Sequence, residues 1–330
     1  MSDPYATPIE YPAKLRINRP VTREEHRSGW RYALEALAPL CAADGILVDS
    51  FIERNFGWDL EQARATAAIP YREPWVGFLH NPPNIPRWHE YYSAPQVMME
   101  LPEWRQSIGQ CRGLITLANW MADWLRERTS VPVISLVHPT EIPALKFQWE
   151  RYRENPRPKI VQVGWWLRRL HSIYQLSAPG LVRAILNPVG ASRQAEFRRV
   201  MEREGVELGL AGVPRDGVEH LPYLDAGGFD RLLSENLVFL DLFDSVCNNT
   251  VIECVVRETP VLINRLPCVE EYLGQEYPLY FSNLAEAGRI TADKGRLLAA
   301  HRHLHALPKE PYTPEYFRRT LAESRIYRSL

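Results

Sequence analysis

The stretch that decides the fold is Leu237–Asn264, LVFLDLFDSVCNNTVIECVVRETPVLIN, in which two short apolar runs flank a longer amphipathic one. The first run, Leu237–Leu240, predicts a buried strand because it is short and apolar and a polar loop follows it. Thr250–Arg257 has apolar residues at helical spacing, and Val261–Ile263 predicts another strand. Strand, helix and strand in this order indicate a βαβ unit with parallel strands.

The helix of this unit begins directly after the loop, at Asn248, Asn249 and Thr250. In parallel α/β sheets, ligands bind at the carboxyl ends of the strands, where the unpaired N–H groups of helix N-termini attract phosphate or diphosphate groups. A second interpretation is equally open from the spacing alone. Thr250-x-x-Glu253 matches a capping box, in which the two side chains only satisfy backbone amides.

The same alternation of strands and helices extends outward on both sides of this unit, after a proline-rich lead-in at Pro4–Pro20 that we expect to be extended. The predicted elements are a helix from Trp30 to Leu40, strands at Gly45–Phe51, Trp75–His80 and Leu114–Leu117, a helix at Ala118–Arg128, strands at Val133–Val137 and Lys159–Val163, and a helix at Gln194–Arg203. We therefore expect an α/β protein with two Rossmann-like domains.

The charged, proline-bearing segment Arg151–Pro158, RYRENPRP, lacks an apolar stripe and is typical of an interdomain linker. We therefore assign residues 1–155 to an N-terminal domain and residues 156–310 to a C-terminal domain. The tail, Tyr316–Tyr327, has a helical pattern, and we expect residues 311–330 to form a helix that packs back toward the N-terminal domain.

Composition and charge exclude several classes of protein. The chain has 330 residues, of which 45% are hydrophobic and 24% charged, as in ordinary globular proteins. Its 39 basic and 40 acidic residues give a net charge of −1, so its overall charge does not attract it to nucleic acid or an anionic membrane. Met1–Ala6 does not resemble the start of a signal peptide, and no apolar run has the roughly 18 residues that a transmembrane segment needs. We expect a cytosolic protein whose five cysteines, which form no CxxC pair, are reduced thiols.

Motifs that the chain lacks narrow the choice of chemistry. It has no GxGxxG after a strand, no GxxxxGK[ST], no GxSxG and no HExxH, which disfavours dehydrogenases, P-loop enzymes, serine hydrolases of the elbow type and zinc hydrolases. It also has no Asp-x-Asp motif. The histidines at His301, His303 and His305 fit a surface helix better than a metal site. We therefore expect no resident metal and no cofactor.

The segment Phe239–Gly274, FLDLFDSVCNNTVIECVVRETPVLINRLPCVEEYLG, resembles the donor-binding segment of GT-B glycosyltransferases, especially retaining enzymes of the glycosyltransferase family 4 type. Glu253 matches the second glutamate of that segment, which in the family accepts hydrogen bonds from the ribose of the nucleotide. Ser245 stands where the family has its first glutamate, and Asn248 and Asn249 stand where glycine is usual. Asp241 or Asp244 lies close enough in sequence to substitute for the missing acid, and this choice stays open.

The resemblance continues in the same order elsewhere in the chain. Val161–Gly164, followed by Arg168 and Arg169, resembles the first strand, glycine turn and basic residues that clamp the donor diphosphate. A planar guanidinium suits paired phosphate oxygens, although surface arginines are also common. Tyr223, after the strand pattern at Val218–Leu221, matches the loop over the nucleotide base.

The acceptor side of the resemblance lies in the first half of the chain. Phe78–Pro83 resembles the strand-end segment in which a histidine, here His80, faces the sugar across the cleft and can donate or move a proton. Ser28 and Gly29 precede the first helix and match the loop that acceptors approach in the family. Trp88 belongs to an aromatic, proline-led loop that binds an acceptor or packs between the domains.

The resemblance implies a GT-B fold, with the two domains facing a cleft, and metal-independent transfer of a sugar from a nucleotide-diphosphate-sugar donor to an acceptor, with retention at the anomeric carbon. The acceptor is open: a glycan, a small molecule, a lipid-linked molecule or a polymer. Two alternatives share the donor site. One is a sugar-nucleotide epimerase or hydrolase, and the other is a non-catalytic nucleotide-sugar-binding protein.

Overall fold

Two parallel sheets organise the chain in the computed structural model, which describes residues 11–18 and 29–330. The first sheet has the strand order β1-β2-β3-β4-β5 and contains β1 (Leu15–Ile17), β2 (Ile46–Asp49), β3 (Trp75–Leu79), β4 (Cys111–Thr116) and β5 (Val133–Ser135). The second has the order β11-β10-β9-β6-β7-β8 and contains β6 (Lys159–Val163), β7 (Val182–Leu186), β8 (Val218–Leu221), β9 (Leu237–Leu240), β10 (Val261–Asn264) and β11 (Tyr280–Phe281).

Helices connect these strands and cover the faces of the sheets. In chain order they are α1 (Trp30–Ala36), α2 (Leu60–Ala65), α3 (Pro95–Met98), α4 (Pro102–Ser107), α5 (Asn119–Arg126), α6 (Trp149–Glu154), α7 (Ser172–Gln175), α8 (Gly190–Glu207), α9 (Ala226–Ser234), α10 (Asn249–Arg257), α11 (Pro267–Leu273), α12 (Leu284–Ala292), α13 (Lys294–Ala306), α14 (Pro314–Glu323) and α15 (Arg325–Ser329). Shorter turns are the π-helical Arg54–Trp58 and the 3-10 segments Ala38–Leu40, Tyr91–Ser93, Ile108–Gln110 and Glu310–Tyr312.

The central strands β3 and β9 are apolar along their whole length because they are buried on both faces. Every residue of β3 and every residue of β9 is buried. Within Leu237–Asn264, β9 and β10 pair in parallel with Val238 opposite Val261, and α10 makes the crossover between them. The predicted α/β architecture of two Rossmann-like sheets is therefore confirmed.

The last two helices, α14 and α15, lie against the first sheet. The ring of Phe317 is 6.5 Å from that of Trp30, and Arg325 donates a hydrogen bond to the carbonyl of Val133 at 3.1 Å. Ile326 packs directly over Gly113 of β4. The C-terminal end of the chain thus contributes to the core of the first half.

Contacts between the two halves also involve backbone groups. The Glu271 carboxylate of α11 accepts the N–H groups of Asn119 and Trp120 at 2.7 Å each, at the start of α5. Tyr272 donates its hydroxyl to the carbonyl of Leu117 at 2.6 Å. A carboxylate at a helix N-terminus is favoured by the helix dipole as well as by its hydrogen bonds.

The structure refines one sequence prediction and contradicts another. The lead-in Pro4–Pro20, expected to be extended, includes the strand β1, because Leu15 is buried in the core and its strand pairs with β2. The predicted linker Arg151–Pro158 begins inside α6, because Tyr152 supplies an apolar contact to the core and only residues 155–158 connect α6 to β6. Across residues 11–18 and 29–330, no helix has the length and apolar character needed to cross a membrane.

Because Ile326 contacts Gly113, we expect a larger side chain at position 113 to destabilise the packing of the C-terminal helix. A Cβ atom added at Gly113 would lie 2.7 Å from Cγ1 of the buried Ile326, so Gly113→Ala should lower the free energy of unfolding by about 1–3 kcal/mol, as overpacking does. Unfolding in denaturant measures the change. The double variant Gly113→Ala with Ile326→Ala should cost less than the sum of the two single variants. Additive costs would contradict the contact.

Candidate functional site

A cleft of about 1460 Å³ lies between the two sheets, at the carboxyl ends of their strands. The first half of the chain contributes His80, Phe51 and Trp58 among its lining residues, and the second half contributes Gly164 and Glu253 among others. This is the place where parallel α/β domains bind ligands.

The turn after β6 is built around the guanidinium of Arg168. The chain reverses at Gly164, which has a φ of 77°, and Arg168 folds back to donate hydrogen bonds to the carbonyls of Val163 at 3.3 Å and Trp166 at 2.7 Å. A Cβ atom on Gly164 would lie 2.8 Å from Nη2 of Arg168. Glycine is required here for its backbone conformation and for the space that the guanidinium occupies.

Arg168 also reaches the start of α10. Its Nη2 donates to Oδ1 of Asn248 at 3.4 Å and to Oγ1 of Thr250 at 3.3 Å. Asn248 is the N-cap of this helix, because its Oδ1 accepts the N–H of Val251 at 3.3 Å. The capping-box interpretation of Thr250 and Glu253 is therefore wrong: Thr250 lies within the first turn, and its side chain binds Arg168 instead.

Arg168 places a positive charge in this corner of the cleft, near the carboxylate of Glu253. Burial lowers the pKa of Arg168 to about 10, while the carboxylate of Glu253 acts in the opposite direction, so the guanidinium stays charged at neutral pH. Glu253 is buried and lines the cleft together with Thr250. A guanidinium beside the N–H groups of a helix N-terminus is a suitable environment for phosphate oxygens.

The second predicted arginine lies outside the cleft lining. Arg169 donates to Oδ1 of Asp241 at 2.8 Å and to the carbonyl of Leu242 at 2.5 Å, and its guanidinium stacks on Phe243. Asp241 also accepts the hydroxyl of Ser172 at 2.6 Å. Arg169 and Asp241 thus fix the loop after β9.

Ser245, which stands where the family has its first glutamate, and its neighbour Asp244 form hydrogen bonds that stabilise the same loop. Ser245 is buried and donates its N–H to Oδ1 of Asp244 at 2.8 Å. Asp244 accepts the N–H of Asn84 from the first half of the chain at 3.1 Å, and burial raises the pKa of its carboxyl group. Neither Asp241 nor Asp244 lines the cleft.

The remaining predicted residues are divided between the cleft and its surroundings. Asn249 and Tyr223 line the cleft, and the Tyr223 side chain is 48% exposed, which leaves its ring available to a ligand. Gly29 precedes α1 and Trp88 packs edge-on against Phe243 at 5.6 Å, and neither is part of the cleft lining. Ser28 lies outside the described residues.

The wall opposite Arg168 centres on His80, which sequence reasoning selected, and on Glu53, which it missed. Glu53 is fully buried, and its Oε1 accepts the N–H groups of His80 at 2.5 Å and Asn81 at 2.6 Å. Its Oε2 lies 3.4 Å from Nδ1 of His80. The imidazole stacks on Phe51 at 3.9 Å and meets the edge of Trp30 at 4.4 Å. Glu53 belongs to no recognisable motif, so this arrangement had no signal in the sequence.

The three histidines of α13 form hydrogen bonds to neighbouring segments of the chain. His301 and His303 bond to the carbonyls of Glu258 and Leu273 at 2.9 and 2.6 Å, and His305 bonds to the Glu258 carboxylate at 2.7 Å. Within residues 11–18 and 29–330, no group of three or more His, Cys, Asp or Glu side chains is placed to hold a metal ion. The five cysteines are free thiols.

We expect Gly164→Ala and Gly180→Ala to differ in free energy of unfolding, although the two glycines have the same φ angle. Gly164 and Gly180 both have a φ of 77°, but a Cβ at Gly180 meets nothing within 4 Å. Alanine in a left-handed conformation should lower the free energy of unfolding by about 1 kcal/mol in both variants. In Gly164→Ala the free energy of unfolding should fall by about 1–3 kcal/mol more, because the new side chain displaces Arg168 from its hydrogen bonds. Denaturant unfolding of the two variants measures the difference. Equal costs would contradict the role given to Arg168.

Comparison with known proteins adds evidence about the fold. No family model matches the chain, and no curated protein matches it by sequence. Among solved structures, HepE from Anabaena in complex with UDP and glucose has a TM-score of 0.63 at 11% identity and covers 86% of this chain and 78% of its own. Sucrose-phosphate synthase from Thermosynechococcus elongatus has a TM-score of 0.56 at 15% identity and covers 86% and 73% of the two chains.

A third structure is a UDP-forming α,α-trehalose-phosphate synthase from Burkholderia xenovorans, with a TM-score of 0.54 at 14% identity, covering 89% of this chain and 77% of its own. At these identities the likeness is one of fold, and the closer assignment to the glycosyltransferase family 4 type stays a prediction. The two facing Rossmann-like sheets and the cleft between them establish that this chain has the GT-B fold.

Proposed function

We propose that this protein is a glycosyltransferase that moves a sugar from a nucleotide-diphosphate-sugar donor to an acceptor bound on the opposite wall of the cleft. The observation that carries the proposal is the contact of Arg168 with the N-terminus of α10, beside Glu253, inside a cleft of GT-B form. UDP is the first nucleotide to test, because HepE was crystallised with UDP and with UDP-glucose.

In this proposal each element of the donor wall has a separate role. The diphosphate binds to Arg168 and to the N–H groups at Asn249 and Thr250, which offset the negative charge that develops on the leaving group. Arg168 thereby takes the charge role that a metal ion has in other transferases, so transfer proceeds without a metal. Glu253 accepts hydrogen bonds from the ribose, and Tyr223 stacks on the base.

On the opposite wall, His80 faces the transferred sugar. It donates a hydrogen bond to a sugar hydroxyl or moves a proton, and Glu53, whose Oε2 lies 3.4 Å from Nδ1, positions the ring. Closure of the cleft excludes water and favours transfer over hydrolysis. Retention at the anomeric carbon belongs to this proposal, and an inverted product in NMR analysis would contradict it.

Thermal unfolding in the presence of UDP, GDP, TDP, CDP and ADP tests the donor site. One nucleotide should raise the melting temperature by several degrees at about 100 times its Kd, since binding then stabilises the native state by about 2.7 kcal/mol, and a chelator should not abolish the effect. A shift that requires a divalent metal would contradict metal independence. The absence of any shift would contradict the donor site itself.

Variants of the two neighbouring arginines separate binding from structure. Arg168→Ala should weaken the nucleotide that binds by about 10- to 100-fold, because it removes charged hydrogen bonds worth about 1.5–3 kcal/mol. Arg169→Ala is the matched control and should change affinity less than threefold, since Arg169 binds Asp241 outside the cleft lining. Isothermal titration calorimetry measures both. The reverse order of effects would place the phosphates at Arg169.

Substitutions at His80 and Glu53 test the catalytic wall. His80→Ala should lower kcat by about 100-fold or more while the KM for the donor changes less than threefold, as expected for a proton-transferring group. Glu53→Gln keeps the shape of the side chain but removes its charge, and it should lower kcat by a smaller factor and alter the pH dependence of kcat. Sugar transfer assays measure these values. An unchanged kcat in His80→Ala would remove His80 from the mechanism.

A further inference from the structure

Two tryptophans, one from each half of the chain, form a corner inside the cleft. Trp58 ends the π-helical turn Arg54–Trp58, and Trp166 lies in the turn after Gly164. Both are half-buried and line the cleft. Their ring centroids are 6.4 Å apart, and the ring planes meet at 75°, so two aromatic faces stand nearly at right angles.

Glu90 holds this corner together. Its Oε2 accepts a hydrogen bond from Nε1 of Trp58 at 2.9 Å and another from Nε1 of Trp166 at 3.1 Å. Glu90 itself has a left-handed backbone, with φ 46° and ψ 32°, which a non-glycine residue rarely adopts. Because both indole N–H groups are occupied, the rings have only their apolar faces and edges to offer a ligand.

The second oxygen of Glu90 is available as an acceptor. Glu90 lines the cleft, and none of the residues 11–18 and 29–330 donates a hydrogen bond to its Oε1. A ligand that fits the corner therefore needs an apolar face for each ring and hydroxyl groups for the carboxylate. A pyranose ring has both, since its C–H bonds cover its faces and its hydroxyls lie around the rim.

The charges on the same wall favour an uncharged ligand. Arg54 lies 3.8 Å from Asp59, and Arg31 binds Glu35 at 2.7 Å, so each of these arginines has an acidic neighbour. With Glu90 added, the described part of this wall carries no excess of positive charge. The described side chains of this wall therefore give an anionic sugar phosphate no net electrostatic attraction.

The position of the corner relates it to transfer. Phe51 lies 5.4 Å from Trp58 and stacks on His80 at 3.9 Å, so a row of aromatic rings runs from the corner to His80. On the other side, the Trp166 carbonyl accepts from Arg168 at 2.7 Å. We infer that Trp58, Trp166 and Glu90 bind a neutral saccharide as the acceptor of the reaction, an inference that rests on the proposed function.

Calorimetric titration of maltose, cellobiose and lactose, with glucose 6-phosphate and 4-nitrophenol as comparison ligands, tests this site in the free protein and in the protein saturated with UDP. At least one neutral disaccharide should bind. Trp58→Ala and Trp166→Ala should each weaken it at least tenfold and leave UDP affinity within twofold, whereas the phenylalanine variants, which retain a ring face, should lose less. Trp124→Ala is the control, because Trp124 is half-buried beside Arg128 and does not line the cleft.

The outcomes separate this site from the donor site. UDP binding with no saccharide binding would overturn the saccharide site and leave the donor site intact, as would tighter binding of glucose 6-phosphate or 4-nitrophenol than of every disaccharide. Saccharide binding that is lost in the tryptophan variants, in a protein that binds none of UDP, GDP, TDP, CDP and ADP, would support the corner and overturn the proposed donor site. Equal saccharide affinity in the wild type and in both alanine variants would overturn the saccharide site at the tryptophan corner.

Discussion

The guanidinium of Arg168 is the group on which the proposed donor wall depends, the side of the cleft formed by the turn after Gly164 and the start of α10. It joins two backbone carbonyls of the turn after β6 to the capping Asn248 and to Thr250 at the start of α10. Hydrogen bonds to a charged group contribute about 1.5–3 kcal/mol, more than neutral ones, so this single side chain fixes the turn and the helix relative to each other. The arrangement requires Gly164, because any larger residue would displace the guanidinium.

On the opposite wall an acidic side chain, Glu53, also binds backbone groups at the end of a strand. Glu53 is buried at the carboxyl end of β3 and accepts the N–H groups of His80 and Asn81, just as Arg168 donates to carbonyls beyond the end of β6. Each wall thus has one side chain, the buried Glu53 or the partly buried Arg168, that satisfies backbone groups at a strand end. A buried charge without partners is costly, so these contacts give each wall one well-defined geometry. The proposed transfer requires such order, because in it the two walls contact the same substrate from opposite sides.

The sequence predicted those features that depend on residues close together in the chain. The strands and helix of Leu237–Asn264 were predicted because their periodicity follows from burial on both faces of a sheet. The helix cap was not, since both Asn248 and Thr250 are good capping residues and the choice depends on Arg168, which is 80 residues away from Asn248 in sequence. Glu53 had no signal for a similar reason: its partners are 27 and 28 residues further along the chain.

The departure at Ser245 has a structural context that the local sequence could not provide. The two nearby carboxylates bind elsewhere, Asp241 to Arg169 and Ser172, and Asp244 to the N–H of Asn84 in the other half of the chain. Both therefore hold the loop between β9 and α10 in place, and the loop in turn presents the first turn of α10 to the cleft. Since neither carboxylate lines the cleft, stabilisation of developing charge in the proposed transfer depends on Arg168, the N-terminus of α10 and His80, which lie on facing walls.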